Sequence, residues 1–511
     1  MMARKFSLDD SSVVVVIGSG AGGGTVASEL AQKGIDVVCL EAGKRLSLAD
    51  VVNDPAEMDA KMGWHDPREG TGVWLCKTVG GTTMRWAGIT PRFQAHELKA
   101  LSTYGQLDDT NLIDWPLSLQ ELEPYYDKAE FKMGVSGSRG IPPSAETNAY
   151  KLLKAGAKKL GYKEYTSTRT AINPVARHGR PGCRQIGFCF SGCAIGAKWS
   201  TLYTEIPRAE ATEHFELRTE SMVVKLKHTD DGSVSGVVYA DAQGQLHEQK
   251  ARAVCVAGNV VETTRLLLNS ASSLFPDGLA NSSGQLGRNY MRHMTFSSLA
   301  IMPGEVNFHR GTRQSGLMFD EQYHRPERGF AGGYLIETAG VDPSTLAAAV
   351  GGWGASAAEY LDNYTRMGGV WVTGEDPPQT SNRIELHDTR RDQHGLPVPV
   401  VNYSFHKNSM AMFEHGKKQC EALLESLDGR RPVSTLGVGG GCHNMGIARM
   451  SDKPGDGVTN RWGQTHDVKN LFVSDGSVFS TSAAANPTLT IVALAIRQAD
   501  HIADRMTRRE L

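Results

Sequence analysis

Apolar positions along the chain recur in three patterns. Val13–Ile17, Val37–Leu40 and Ala253–Ala257 are short, largely β-branched and apolar on both faces. A strand of a parallel sheet, covered on both sides, needs that pattern. Gly22–Lys33, Ala149–Leu160, Val260–Ser270, Ser409–Leu427 and Leu489–Met506 have the 3.6-residue spacing of helices with one buried face. Pro116–Met133 adds another, opened near Pro116 and Ser118, with Leu119, Leu122, Tyr125 and Tyr126 on its apolar side. From His214 onward short strands appear in FELRTESMVVKLKHT, SVSGVVYAD and QLHEQKARAVCVAG, with turn signals at Asp230-Asp231-Gly232 and Ala242-Gln243-Gly244. They predict an antiparallel meander. Residues 296–405, including the Gly/Ala-rich AAAVGGWGASAAEY, read as strands alternating with loops. The pattern is that of an α/β chain with a second, sheet-based unit, and 511 residues are too many for one simple core.

The opening elements carry the first chemical signal. Between the strand Val13–Ile17 and the helix from Gly22 lie Gly18, Gly20 and Gly23, spaced G-x-G-x-x-G. The first allows a tight turn, the second lets a pyrophosphate approach the backbone, and the third lets helix and strand pack closely. Gly34 ends the helix, and Glu41 closes the next strand 23 residues after Gly18, where a dinucleotide fold places a carboxylate for a ribose hydroxyl. Strand, helix, second strand and terminal acid together predict dinucleotide binding over an ordinary glycine-rich turn. They do not separate NAD from FAD.

Composition narrows the function classes. The chain is 40% hydrophobic and 22% charged with a net charge of −2, which argues against a nucleic-acid surface. Its 56 glycines cluster at the expected strand-to-helix turns, as suits a chain wrapped around a cofactor. No signal peptide and no membrane-spanning run of about 18 apolar residues is expected. Cytoplasm and periplasm both stay open, the latter only by export with a partner.

After Glu41 a polar excursion runs to about Trp74, followed by Val79-Gly80-Gly81-Thr82-Thr83-Met84-Arg85-Trp86-Ala87-Gly88. Small residues and hydroxyls suit a backbone wrapped against a flat ligand, although alone the segment reads as a plain turn. Of eight cysteines, five are scattered, and Cys39 and Cys255 fall in buried strands. Cys183, Cys189 and Cys193 are spaced C-x5-C-x3-C among glycines. An iron–sulfur cluster, a zinc ion or no metal are all compatible with three thiols; a three-iron cluster or a fourth ligand from elsewhere fits better than tetrahedral zinc. Farther on lie Val438-Gly439-Gly440-Gly441-Cys442-His443, the run Asn470–Gly476, and Ala484-Ala485-Asn486-Pro487-Thr488.

Taken in order, these blocks resemble the glucose–methanol–choline (GMC) family of flavin oxidoreductases over nearly the whole chain, most weakly between about 300 and 375. GSGAGGGTVASEL with Glu41 resembles the family's FAD site, and VGGTTMRWAG its segment over the flavin. AGNVVETTRLLLNS resembles a second signature, with Thr264 where a proline is often found. LGRNYMRH and HDVKNLFVSDGSVF are further matches. The resemblance implies an FAD-binding domain of the Rossmann-like type, discontinuous over 1–95, 205–300 and 435–511. It interleaves with a substrate domain over 96–204 and 301–434 that includes the cysteine loop 183–193. Gly18, Gly20, Gly23, Glu41, Gly81, Thr82, Asp475 and Gly476 should contact FAD, and Val224 should approach the adenine through its backbone. Arg85 stands where some relatives carry a flavin-linking histidine, which implies non-covalent FAD.

The likeness is strongest to flavoprotein subunits of bacterial sugar and sugar-acid dehydrogenases. Some of these hold a [3Fe-4S] cluster on three cysteines, matched here by Cys183, Cys189 and Cys193. The implied activity is oxidation of a carbohydrate hydroxyl by hydride transfer to flavin N5, with His443 as base and Asn486 orienting the same substrate oxygen. Near His443, a histidine alone would read as structural, since the chain has sixteen. Asn486 could otherwise cap the following helix, and Arg292 and His293 are expected to be structural. A small accessory subunit with a twin-arginine signal and a cytochrome acceptor are the implied partners. A sugar or glycoside oxidase releasing peroxide is the alternative enzyme, and a non-catalytic flavin-binding subunit the alternative outside enzymes.

Overall fold

A five-stranded, all-parallel sheet carries the glycine-rich segment. In a computed structural model that describes residues 5–63, 69–437 and 441–511, its order is Leu471–Val473, Ala253–Val256, Val14–Ile17, Val37–Leu40 and Phe215–Arg218. Val14–Ile17, Val37–Leu40 and Ala253–Val256 are buried at every position, as their patterns predict. The helix Ala21–Ala31 covers one face and packs against the long C-terminal helix Thr488–Thr507. The stretch after His214 divides at a bend. Phe215–Arg218 joins the parallel sheet, and only Met222–His228, Val234–Ala240 and Leu246–Lys250 form the expected antiparallel meander.

A second layer is a six-stranded antiparallel sheet, ordered Arg430–Leu436, Met294–Ile301, Met367–Gly374, Tyr334–Thr338, Leu317–Met318 and Tyr165–Thr166. The helices Asn148–Leu160 and Lys407–Glu425 share its hydrophobic core. Met294–Ile301 pairs in this layer, with Met367–Gly374 on one side and Arg430–Leu436 on the other. Pairing register decides its place, and a single-strand pattern does not carry register. The Ala-rich stretch expected as strand and loop instead forms the helices Pro343–Val350 and Ala355–Asp362. Alanine's high helix propensity accounts for this.

Register in the second sheet aligns one row of side chains. Thr435 lies opposite Ser297, Ser297 opposite Trp371, and Trp371 opposite Glu337. Residues in register point to the same face of a sheet. Ser297 and Trp371 reach the cavity between the two layers. Val438–Gly440, within the glycine-rich approach to His443, and residues 64–68, within the polar excursion, lie outside the described residues.

Candidate active site

The two layers enclose a cavity of about 430 Å³. Its end at the glycine-rich turn is built from backbone. Gly18 has a φ of +94°, accessible to glycine without strain, and a Cβ on Gly23 would sit 2.0 Å from the Gly18 carbonyl oxygen. At Gly20, by contrast, the nearest atom to an added Cβ is Gly81 Cα at 3.9 Å, so that backbone stays open to the cavity. The helix Ala21–Ala31 starts with neither a side-chain cap nor an acid in its first turn. Its first amides are free to bind an anion. Glu41 is buried and accepts hydrogen bonds from Ser19 N (3.0 Å), Ser19 Oγ (2.6 Å) and Gly43 N (2.9 Å). Burial raises its pKa while these donors oppose the rise.

Gly18, Gly20, Glu41, Gly81, Thr82, Asp475 and Gly476 line the cavity, as do His443 and Asn486. Gly23 lies behind the wall, where it closes helix onto strand. Ser221, Met222 and Val223 form the wall beside Val224, which is not itself part of it. Asp475 accepts from Thr263 Oγ1 at 2.7 Å and from Ser477 N at 2.8 Å. This frame suits a dinucleotide: an open glycine, unpaired helix amides and a fixed acid at the end of the second strand.

The other end is built from side chains brought together from distant parts of the sequence. His443 is held at a φ of +61°, with its Nδ1 2.7 Å from Nδ1 of His293. The other ring nitrogen of His293, Nε2, faces the carbonyl oxygens of Ser482 (3.1 Å) and Ala483 (2.9 Å). Two acceptors require a proton on that nitrogen, so neutral His293 presents a lone pair at Nδ1. His443 must then carry its proton on Nδ1, and its Nε2 is left unprotonated. Burial lowers both imidazoles, His293 to about 4 and His443 well below the ordinary histidine value, with each other's charge adding to the effect at His443. Both are therefore neutral at pH 7.

Asn486, 6% exposed, lies beside Glu337, whose Oε1 accepts from Thr373 Oγ1 at 2.9 Å. Among the described residues Asn486 Oδ1, Glu337 Oε2 and Ser297 Oγ have no hydrogen-bond partner. Burial pushes Glu337 up to about 7. Glu337, Ser297, Trp371 and His293 were not singled out as functional from the sequence. A lone acid in the fully buried strand Tyr334–Thr338 was the available signal for Glu337. Arg292 stacks on Tyr403, 4.3 Å from its ring centre, away from the cavity wall.

The cysteine loop leans on the same cavity. Arg85 Nε donates to Phe190 O at 2.9 Å, its guanidinium pairs with Asp59, and Arg85 and Phe190 both line the wall. Lys198 Nζ, fully buried, holds Met84 O (3.1 Å), Trp86 O (2.7 Å) and the carbonyl of Cys189. Cys183 Sγ accepts from Gln185 N and Cys193 Sγ from Lys198 N, each at 3.4 Å. Burial, with the charges of Cys189 and Cys193, pushes the Cys183 thiol up to about 11. All three thiols are free and half-buried. Among the described residues, only His96, Glu97 and Glu375 bring three ligand atoms within 4.8 Å of one another. The thiols are therefore spread more widely than the four-coordinate shell of one zinc, whose sulfurs bind at about 2.3 Å from the metal. Among the described residues no helix is long and apolar enough to cross a membrane.

Comparison with known proteins gives the same picture from outside. GMC oxidoreductase family profiles match residues 15–295 and 378–495. The 2-methyl-1,2-propanediol dehydrogenase of Mycolicibacterium austroafricanum is 33% identical over 98% of this chain and 96% of its own length. The fructose dehydrogenase large subunit of Gluconobacter japonicus is 28% identical over 96% of this chain and 98% of its own. A formate oxidase structure shares the fold, with a TM-score of 0.70 at 14% identity over 98% of this chain and 99% of its own. On the match of its N-terminal profile and of its relatives across almost its full length, the chain belongs to the GMC oxidoreductase family, whose members bind FAD.

Proposed function

We propose that the protein is an FAD-dependent dehydrogenase that oxidises a hydroxyl of a carbohydrate (a sugar, glycoside or sugar acid) to the carbonyl. The observation that carries this is the locked tautomer of His443, whose free Nε2 can take the hydroxyl proton as the adjacent C–H bond breaks. The bound flavin, held non-covalently, supplies the hydride acceptor. Gly18, Gly20, Glu41, Gly81, Thr82, Asp475 and Gly476 hold it, Gly23 shapes the turn, and Val224 approaches the adenine through its backbone. Arg85 is committed to Asp59 and Phe190, which supports flavin without a protein linkage. The named activities of the two curated relatives, on a diol and on fructose, support a hydroxyl substrate.

For the electrons we propose a [3Fe-4S] cluster on Cys183, Cys189 and Cys193. Its support is the grouping of three half-buried thiols in one loop, the backbone N–H groups on two of them, and Phe190, next to Cys189, in the cavity wall. Amide donors to sulfur are a known way to tune such clusters. From this loop the electrons would pass to a one-electron acceptor such as a cytochrome, with or without a small accessory subunit. The second possibility, an oxidase, would leave the thiols without a cluster. Anaerobic mixing with a carbohydrate panel should bleach the flavin, and dye should be reduced in air without stoichiometric peroxide. Absence of bleaching by every sugar overturns the proposed activity, and stoichiometric peroxide selects the oxidase. EPR of the oxidised protein should show a three-iron signal, and its absence removes the cluster.

A further inference from the structure

Away from the cavity wall, three ligand-bearing side chains meet against the loop that carries Asn486. His96 and Glu97 open the short turn before the helix Ala100–Tyr104, and Glu375 follows the strand Met367–Gly374. A ring nitrogen of His96 and a carboxylate oxygen of each acid lie within 4.8 Å of one another, and no other trio among the described residues does so. Glu97 is fully buried and Glu375 is 7% exposed. The donors that reach them are neutral. Glu97 accepts from Ala484 N (2.8 Å), Gln94 N (2.6 Å) and Gln322 Nε2 (3.1 Å), and Glu375 from Gly333 N (2.9 Å) and the Tyr104 hydroxyl (3.0 Å). Arg328, whose charge reaches Glu375, is paired with Glu321 at 2.7 Å.

Two buried carboxyls this close are held together by a shared proton or by a cation. Burial pushes Glu97 up to about 7, and burial with the charge of Glu97 pushes Glu375 up to about 8. His96 decides between the two. Its Nε2 is buried without a hydrogen-bond partner, and burial lowers its pKa, so the ring is neutral and keeps a lone pair for a metal. A shared proton leaves that nitrogen unsatisfied, whereas a cation satisfies all three groups at once. We propose that His96, Glu97 and Glu375 bind one divalent metal ion of the kind that takes imidazole and carboxylate together, Mn²⁺ or Zn²⁺. Ligands about 2.1 Å from one ion lie at most about 4.2 Å apart, so the trio closes on it with a contraction of under about 1 Å. The ion is a clamp and takes no part in the chemistry. Glu97 also holds the loop through its own carbonyl, which accepts from Thr481 Oγ1 at 3.0 Å, and Asp376 N donates to Ser482 Oγ at 2.8 Å. Metal binding therefore ties residue 375 to the loop whose carbonyls anchor His293.

The test is a Mn²⁺ titration of the flavin-loaded protein after dialysis against EDTA, followed at room temperature by the EPR signal of the free ion. Thiols are poor ligands for Mn²⁺, so the cysteine loop does not compete. Wild-type protein should show one saturable site per chain, and the bound ion should raise its urea midpoint. Loss of an outer-shell partner of a metal already costs ten- to a hundredfold in affinity, so Glu375→Gln, which removes a ligand charge, should cost about a hundredfold or more and cancel the rise in midpoint. Glu375→Gln keeps the shape of the side chain, and retained flavin reports that the fold is intact. If that variant does not retain flavin, His96→Ala, at a half-buried position, carries the same test. Cys183→Ser should leave the binding unchanged. No saturable site in the wild type, or a site lost in Cys183→Ser, overturns the inference. Unchanged binding in a flavin-retaining Glu375→Gln overturns it as well, because the ion is then an adventitious one at the surface. None of these outcomes bears on the proposed alcohol oxidation.

Discussion

The end of the cavity where we place the nucleotide and the corner where we place the chemistry are made in opposite ways. At the nucleotide end the contacts come from backbone: Gly18, Gly20 and the uncapped start of the helix Ala21–Ala31, all within a few residues. At the corner they come from side chains on four separate segments, with His293, Glu337, His443 and Asn486 set by sheet register and loop packing. The first can be altered only by adding atoms where none fit. The second can be altered chemically while its frame stays intact. Substitutions in the two regions should therefore fail differently, one by losing the flavin and the other by keeping a flavin that no longer reacts.

The largest effect should come from Gly23→Ala. Its new methyl would lie 2.0 Å from the Gly18 carbonyl oxygen and 2.9 Å from Ala257 Cβ, atoms of the sheet that cannot yield without separating helix from strand. Destabilisation of more than about 4 kcal/mol is expected, read by denaturant unfolding, with loss of flavin absorbance. A Gly23→Ala protein that keeps its flavin and its stability would end the contrast at the nucleotide side. Next in size, His443→Ala should retain flavin and lose about 10³-fold or more in bleaching rate, the upper range for a general base. Near-normal turnover would remove His443 from the mechanism.

His293 sharpens the contrast, because it acts on the base without being in the cavity wall. His293→Leu removes the acceptor for the His443 Nδ1 proton, so the imidazole can adopt the tautomer with its lone pair turned inward. The bleaching rate should fall by about ten- to a hundredfold. His293→Gln can accept from His443 with its oxygen and donate to Ser482 and Ala483 with its nitrogen, so it should recover most of that loss. Two equally impaired variants would mean that His293 only packs. A smaller change still is expected at Cys183→Ser, which, if the proposed cluster is present, should abolish its EPR signal and slow dye reduction more than flavin bleaching. Equal slowing of both would place the loop's role in folding.

Legibility in the sequence follows the same division. The parallel strands, the Ala21–Ala31 helix and the end of the second strand at Glu41 were readable because each is coded within a window of a few residues. His443 and Asn486 were readable through resemblance of their surrounding blocks, and both line the cavity. The row Ser297–Trp371–Glu337 was not, because cross-strand register is a relation between segments about 35 to 75 residues apart and leaves no local pattern. His293 was read as structural for the same reason: nothing near it announces the carbonyls of Ser482 and Ala483. Helix against strand also failed at Ala347–Tyr360, where glycines between two Ala-rich turns masked two short helices.

The smallest expected effect is on stability against pH, and there the two halves of the corner oppose each other. His293 has a folded pKa of about 4, below the ordinary 6.5 or so of the unfolded chain. The unfolded state therefore binds the extra proton in that interval, and this contribution to stability, complete above about 6.5, is lost as pH falls towards 4. Glu337 works in reverse. Its folded pKa of about 7 exceeds the unfolded carboxyl value, so the folded state holds the extra proton, and stability is lost as pH rises from about 4.3 through 7. Each group contributes a slope of at most about 1.4 kcal/mol per pH unit, with opposite signs over much the same range. Wild-type stability should thus vary little with pH from these two groups, and single substitutions should uncover each slope. Relative to wild type, His293→Gln should gain stability towards pH 5, and Glu337→Gln towards pH 8. Urea midpoints measured at pH 5, 6.5 and 8 decide it. If the two variants shift in the same direction, the burial that keeps His293 and Glu337 both uncharged is not what shapes the corner.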